Sequence, residues 1–402
     1  MIEIKTAAYR RASFALAFGS FIVFCNLYMF QPMLPLMAQK FNASAVAINW
    51  LLAAGTLTLA LTLVPWAIAS EMIGRRTVMM LSLFLLPFTG MAMLLTDSLL
   101  MLTLARGVMG VSLAGFAAIA VAYMAEEFTP KALVLAVGGY ISANSLGGIT
   151  GRLYGGFVSE YWGWEMAVIG MALSSLIGAF IVNLLLPHQQ YFTPKKGQFR
   201  THNKQVVEHL KRRELWLAML IGGFNFALFV NLYTVMGFRL VAPPYSLSIS
   251  LTSMIFLCYL SGTVTAKLSG RWGQVYSPIK GMVLGTTVSV IGMWIASYDS
   301  LFAMVLGLLL ISSGAFFTHS LAYAWVSQKA KTAKATATAL YLVHYYVGGS
   351  LGGFYLVACW QYGQWHGVLA GGMALYVLIY ILCWRLHRCT LVKNRKMRVK
   401  RN

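Results

Sequence analysis

Apolar runs long enough to cross a bilayer recur along the whole of this chain. A hydrocarbon core about 30 Å thick calls for a helix of about 20 apolar residues. Such runs fall at roughly 13–37, 46–70, 78–95, 99–125, 133–158, 166–187, 215–240, 249–269, 280–297, 301–327, 336–358 and 367–386. The pattern predicts an all-α integral membrane protein with twelve spanning helices. Several runs contain Gly or Pro, which spanning helices tolerate because their neighbours re-satisfy the freed backbone groups. Most linkers are too short to hold a further domain. The exception is polar and basic, and it divides the chain into a six-helix bundle over 1–187, a cytoplasmic linker over 188–214, a second bundle over 215–386 and a basic tail over 387–402. The first run begins with Lys5, Arg10 and Arg11, as a secretory signal does. Its length, the lack of a small-residue cleavage site, and Asn26, Gln31, Pro32 and Pro35 predict a retained span instead.

Composition sharpens this picture. Of 402 residues, 59% are apolar and 10% charged, yet the formal net charge is +21. Soluble chains are about one quarter charged, so a soluble enzyme, a disulfide scaffold and a disordered chain are all excluded. With the N-terminus placed in the cytoplasm, 27 of the 31 Lys and Arg residues fall in cytoplasmic segments, leaving Lys40, Arg106, Arg152 and Arg239. That asymmetry is the positive-inside rule, and it puts both termini in the cytoplasm. A chain this basic invites a nucleic-acid reading, but charges dispersed over short loops on one membrane face do not form a nucleic-acid site. The tail is expected to lie against anionic headgroups. Cys25, Cys258, Cys359, Cys383 and Cys389 show neither metal-type nor disulfide spacing, so neither metal nor cofactor is expected.

The halves repeat. At an offset of 201 residues, Tyr140, Gly147, Gly148, Gly151, Tyr154, Tyr161, Trp164 and Gly170 meet Tyr341, Gly348, Gly349, Gly352, Tyr355, Tyr362, Trp365 and Gly371. Asn26-Leu27-Tyr28 recurs as Asn231-Leu232-Tyr233. Duplicated halves are a transporter signature. Gly139, Ala143, Gly147, Gly151 and Gly155 form a smooth stripe with a step of four, and Gly348 and Gly352 repeat it. Small residues at this spacing let helices approach closely. The stripes are expected to form a rocking interface, with static close packing as the alternative.

The loop Ala67-Ile68-Ala69-Ser70-Glu71-Met72-Ile73-Gly74-Arg75-Arg76 resembles the G-x-L-x-D-R-x-G-R-R/K loop of the major facilitator superfamily. Ala replaces the first Gly, Glu the Asp and Met the middle Arg. Arg106-x-x-Met109-Gly110 is similar to that family's R-x-x-x-G element. Tyr140 to Arg152, the Gly314-Ala315-Phe316-Phe317 stretch with His319-Ser320, and Leu340-Tyr341-Leu342 with Tyr345-Tyr346 resemble the YnfM-type (acriflavin-sensitivity) branch of bacterial exporters. The resemblance implies a twelve-helix, two-bundle carrier working by alternating access. It also implies a cytoplasmic latch at Glu71, Gly74, Arg75 and Arg76. The equivalent loop in the second half, Gly270-Arg271-Trp272-Gly273, lacks the acid.

Ionisable groups within spans are functional candidates by default. All ten Asp and Glu residues fall in loops or at helix ends, so the buried acid common among drug:proton antiporters is missing. Arg152 shares a helix face with Gly148 and Asn144 and needs carbonyls, water or an anion around it. Asn26, Tyr28, Gln31, Asn144, Arg152 and Tyr233 are the candidate substrate-cavity residues. His319 and His344 titrate nearest physiological pH and, with Arg106, are the candidates for proton coupling; a helix-tying role is the alternative for Arg106, and a neutral interhelical hydrogen bond for each His. Arg239, near an outer helix end, is expected to reach the headgroups. Intramembrane catalysis would need a nucleophile–base pair, a metal site or paired carboxylates at depth, and the spans offer none, so an enzyme is not expected. The reading is a monomeric secondary transporter exporting a small organic molecule across the bacterial inner membrane, with protons as candidate coupling ion. Uptake or facilitated passage of a neutral or anionic metabolite, and a non-transporting sensor, are the alternatives.

Overall fold

The computed structural model describes residues 1–193, 199–330 and 334–399. Lys195 and Lys196 of the basic linker, Lys331 of a basic inner loop, and Lys400 and Arg401 of the tail lie outside the described residues.

The protein is all-α. Its long helices are α1 (Ala7–Tyr28), α2 (Trp50–Ile73), α3 (Arg75–Ala92) and α4 (Leu99–Glu127), then a helical run over Pro130–Leu185. Gly163, at φ +86°, breaks that run into α5 (130–162) and α6 (164–185). The second half holds α7 (Arg213–Val241), α8 (Tyr259–Val275), α9 (Pro278–Ile295), α10 (Leu301–Lys329) and a run over Lys334–Val399. Gln364, at φ +48°, divides this last run into α11 (334–363) and α12 (365–399). Both breaks fall between predicted spans.

The predicted spans at 13–37 and 249–269 are not continuous, and the one at 46–70 is divided at Asn49. The run placed at 13–37 ends as a helix at Tyr28, and a turn then leads into a short helix over Leu34–Lys40. Pro32 and Pro35 explain the break: each lacks the N–H that a helix interior needs, and Pro35 fits only in the first turn of the new helix. Gln31 therefore lies in a turn. The run placed at 249–269 starts as a single turn, Ile249–Ser253, passes through 3₁₀ turns at Met254–Cys258, and only then becomes α8.

The chain divides into two compact units: Met1–Gln198 with Gly237–Phe256, and Phe199–Met236 with Leu257–Asn402. In the first, α1 lies against α5, α2 against α4, and α3 against α4. Thr58 Oγ1 donates to the Gly107 carbonyl at 2.7 Å across the α2–α4 contact. In the second, α9 packs on α10 and α8 on α10. Thr265 Oγ1 there donates to the Ser313 carbonyl at 2.8 Å.

The repeat is visible in the packing. A Cβ built on Gly147 would sit 2.9 Å from Phe21 Cα, and one on Gly151 would sit 2.6 Å from Cys25 Cα. In the second unit a Cβ built on Gly348 would sit 2.5 Å from the Gly223 carbonyl carbon, and one on Gly352 would sit 2.6 Å from Ala227 Cα. In each unit the two partners are again four residues apart, Phe21 and Cys25 in the first and Gly223 and Ala227 in the second. Gly147, Gly151, Gly155, Gly348 and Gly352, the residues expected at a rocking interface, lie close to backbone within their own unit. Each stripe is in backbone contact with a helix of its own unit, α5 with α1 and α11 with α7. The close approach leaves no room for a side chain at these positions.

Candidate functional site

Three of the six cavity residues converge in the first unit. Arg152, on α5, is 1% exposed. Its Nε donates to Gln31 Oε1 at 2.7 Å, and its Nη1 donates to the Gly148 carbonyl at 2.7 Å. The guanidinium lies 3.9 Å from the Tyr28 ring centroid and 4.8 Å from that of Phe256. Both are within the ~6 Å reach of a cation–π contact. The turn after α1 makes this possible: had the helix continued through Pro32, Gln31 would have followed the helical spiral rather than reaching back to α5. Contact of a planar guanidinium with two aromatic rings suits Arg better than Lys. Phe256 carried no signal in the sequence, being one apolar residue in an apolar run.

The other cavity candidates lie elsewhere. Asn26 Nδ2 donates to the Ile22 carbonyl at 2.9 Å and to Ser175 Oγ at 2.8 Å, tying α1 to α6. Asn144 accepts a hydrogen bond from Ser20 Oγ. Tyr233 belongs to the second unit, where its hydroxyl donates to the Leu308 carbonyl at 2.9 Å and lies 2.6 Å from Ser312 Oγ. Both asparagines and the tyrosine are thus engaged in joining helices.

Arg106 is fully buried. Its Nε donates to the Leu51 carbonyl at 3.1 Å, its Nη2 donates to the Leu27 carbonyl, and its Nη1 meets Met109 Sδ at 2.8 Å. Leu27 lies in the last turn of α1, where carbonyls have no helical partner. A cation at a helix C-terminus also suits the helix dipole. The geometry is that of a tie between α1, α2 and α4. Arg239 departs from expectation: it is 6% exposed and lies over the Tyr245 ring at 5.9 Å, so it does not reach outward to headgroups. Depth along a helix was legible in the sequence, but the direction in which the side chain leaves it was not.

The histidines are apart from each other in their contacts. His319 Nδ1 lies 3.0 Å from the Tyr341 hydroxyl, and its ring centroid is 4.4 Å from that of Tyr345. Tyr345 in turn stacks on Phe226 at 3.8 Å. His344 Nδ1 pairs with the carbonyl of Leu340 in its own helix at 2.8 Å. It lines an apolar cavity of about 350 Å³ with Phe224, Leu351 and Tyr355.

At the loop after α2, Gly74 adopts φ +106°, a conformation that side chains with a Cβ rarely take. It sets Arg75 beside two acids: Glu126 Oε1 at 2.9 Å and Glu71 Oε1 at 3.6 Å. Arg75 Nη1 also donates to Ser70 Oγ at 2.6 Å. Arg76 Nη2 donates to the Asn183 carbonyl at 2.8 Å, and its Nε donates to that of Leu186 at 3.2 Å. The four residues thus bind the ends of α2, α4 and α6 to the start of α3. Glu126 is the partner that sequence reading missed; its only signal was an acid at an inner helix end. Among the described residues, no group of three or more His, Cys, Asp or Glu side chains is placed to hold a metal ion.

The chain is 32% identical over 401 residues to the MFS-type transporter YybF of Bacillus subtilis (strain 168), covering 100% of this chain and 98% of that one. It is 31% identical over 387 residues to the inner membrane transport protein YnfM of Escherichia coli (strain K12), covering 96% and 93%. Its fold is similar, at a TM-score of 0.75 and 15% identity over 95% of this chain and 96% of the other, to a bacterial homolog of the human lysosomal transporter Spinster. Residues 16–353 match the Major Facilitator Superfamily. With two duplicated helical units, Arg106 of α4 buried against the end of α1, and the Gly74–Arg75 loop, this chain belongs to the Major Facilitator Superfamily and is a multi-pass membrane transporter of the secondary kind.

Proposed function

We propose that this transporter exports a small organic anion across the bacterial inner membrane, with both termini in the cytoplasm, and that Arg152 supplies the positive charge that recognises it. The observation that carries the reading is the Arg152 guanidinium, 1% exposed and in contact with the Tyr28 and Phe256 rings, in a chain with no Asp or Glu in mid-span. Burying a cation is costly, and a chain that retains one beside Gln31 keeps a planar group suited to recognising a carboxylate. The export direction rests on the resemblance to the exporter branch. The substrate class is tested by thermal shift on purified protein against organic anions, cations and neutral sugars at two pH values. A ligand at a hundredfold excess over its Kd adds about 2.7 kcal/mol of stability, so an anion hit is expected as a clear rise in melting temperature. Stabilisation by cations alone overturns the anion reading.

Protons are the proposed coupling ion, and His319 the group that carries them. Its ring is held by Tyr341 and Tyr345 rather than by an acid. In proteoliposomes, His319→Gln is expected to abolish stimulation of flux by a pH gradient while leaving downhill exchange of substrate. Unchanged pH-gradient-driven flux rules His319 out as the coupling group. The transporter is proposed to work as a monomer, its basic tail against anionic lipid.

A further inference from the structure

His344 stands where the first unit has a small residue. At the offset of 201 residues that relates α11 to α5 it meets Ala143, a member of the small-residue stripe. Its backbone lies at the crossing with α7, where a Cβ built on Gly223 would come within 2.8 Å of the His344 carbonyl oxygen. Its side chain lines the cavity of about 350 Å³ in the second unit, with Phe224 of α7, Leu351 and Tyr355 of α11 and Leu375 of α12. The two ring nitrogens differ in their surroundings. Nδ1 is 2.8 Å from the Leu340 carbonyl, which can only accept, so Nδ1 carries the proton. In the neutral ring Nε2 is then a bare acceptor, and it has no hydrogen-bond partner among the described residues. Tyr355 is the other polar side chain of the wall, and its hydroxyl donates to the Gly371 carbonyl at 3.3 Å. His344 sits eight residues into the span predicted over 336–358, roughly 12 Å along the helix. Buried waters make about three hydrogen bonds, more than one bare nitrogen in an apolar wall supplies.

We propose that this cavity is a ligand site for an uncharged molecule with an apolar body and one hydroxyl, which donates to His344 Nε2. Small-molecule sites are mostly apolar, with a few polar groups that fix orientation, and this wall has that composition. Size narrows the class. A cavity of about 150 Å³ holds benzene, so one of about 350 Å³ has room for a ring with a short alkyl chain. Charge narrows it further. No Lys or Arg is among the described lining residues, so an ionised carboxylate would lose its water without gaining a cation. An alkylphenol meets both conditions. Leu351 and Tyr355 are exposed and four residues apart, which gives the ligand a way in along that face of α11. The site is independent of the anion and proton roles proposed above, since Arg152 belongs to the first unit and His319 does not line this cavity.

The test is calorimetric titration of the full chain in nanodiscs with para-propylphenol and with propylbenzene, which has the same shape but no hydroxyl. Empty nanodiscs supply the background of partition into lipid. The parent is expected to bind the phenol saturably and about fivefold or more tighter than propylbenzene, the worth of one hydrogen bond. His344→Leu keeps an apolar wall and removes the acceptor, so it is expected to bind the two probes equally. Leu351→Trp changes an exposed side chain and fills space that the probe needs, so it is expected to weaken both by about tenfold or more. The two probes on the parent protein test the proposal without any variant having to fold. Absence of saturable phenol binding to the parent overturns it, and so does equal affinity for the two probes. A preference for the phenol that survives in folded His344→Leu, or unchanged affinities in folded Leu351→Trp, places the binding elsewhere and overturns it too.

Discussion

Gly151→Leu is expected to remove most of the folded protein. A Cβ at this position comes within 2.6 Å of Cys25 Cα and 2.9 Å of its carbonyl carbon, and backbone atoms cannot rotate aside as a side chain can. The helices must separate instead. That separation is felt a turn away in each direction, at Gly147 against Phe21 and at Gly155 against Met29. Overpacking a tight core costs about 1–3 kcal/mol at a yielding site, and the loosening that spreads to Gly147 and Gly155 places this one at or above the upper end. At roughly 2–4 °C per kcal/mol for units of this size, the melting temperature is expected to fall by about 10 °C, or the monodisperse peak to vanish. Gly139→Ala is the matched control. It continues the same stripe, but nothing lies within 4 Å of its built Cβ. Exchanging Gly for Ala in a helix is favourable by about 1 kcal/mol, so this variant is expected to be as stable as the parent or more so. Equal losses at both positions would show that the damage does not come from contact with α1.

Arg106→Ala is expected to be nearly as damaging, for a different reason. The side chain is fully buried and donates to the Leu27 and Leu51 carbonyls. Alanine leaves a cavity the size of a guanidinium and strips the donor from the end of α1. Large-to-small changes in cores cost about 2–5 kcal/mol, and an unsatisfied buried acceptor adds about 1–3 kcal/mol. Arg106→Met fills the volume and removes the buried charge together with the donors, so it is expected to lie between Ala and the parent in thermal unfolding. Were Met as damaging as Ala, the donors would be the whole of the effect; were it neutral, the tie between α1, α2 and α4 would be packing alone.

The fold was legible because the bilayer imposes a length. Twelve runs of about 20 apolar residues could hardly be anything but spans, and Gly163 and Gln364 break the helical runs where polar residues had separated them. The run at 13–37 was less legible, because hydropathy does not register the missing N–H groups of Pro32 and Pro35. That break matters most, since it delivers Gln31 to Arg152. A buried arginine beside Gly148 could be singled out as a site from one stretch of sequence, and its neighbour Tyr28 could be guessed from the repeated Asn-Leu-Tyr. Phe256 could not: it lies 4.8 Å from the guanidinium yet far along the chain, with nothing polar to mark it. The glycine stripes showed that one helix face is smooth, but not which helix it meets. Arg239 illustrates the same gap, since its place near a helix end said nothing of Tyr245.

The role of Arg152 is tested most directly by flux in proteoliposomes of the best-stabilising organic anion, comparing the parent protein with Arg152→Ala and Arg152→Lys. Truncating one partner of a buried charge contact costs about 2–5 kcal/mol, so both variants are expected to elute as folded protein and to transport at least about thirtyfold less. Lysine should not rescue, because it has no planar face to set against the Tyr28 and Phe256 rings. Parent-level flux of the anion through well-folded Arg152→Ala would contradict the account.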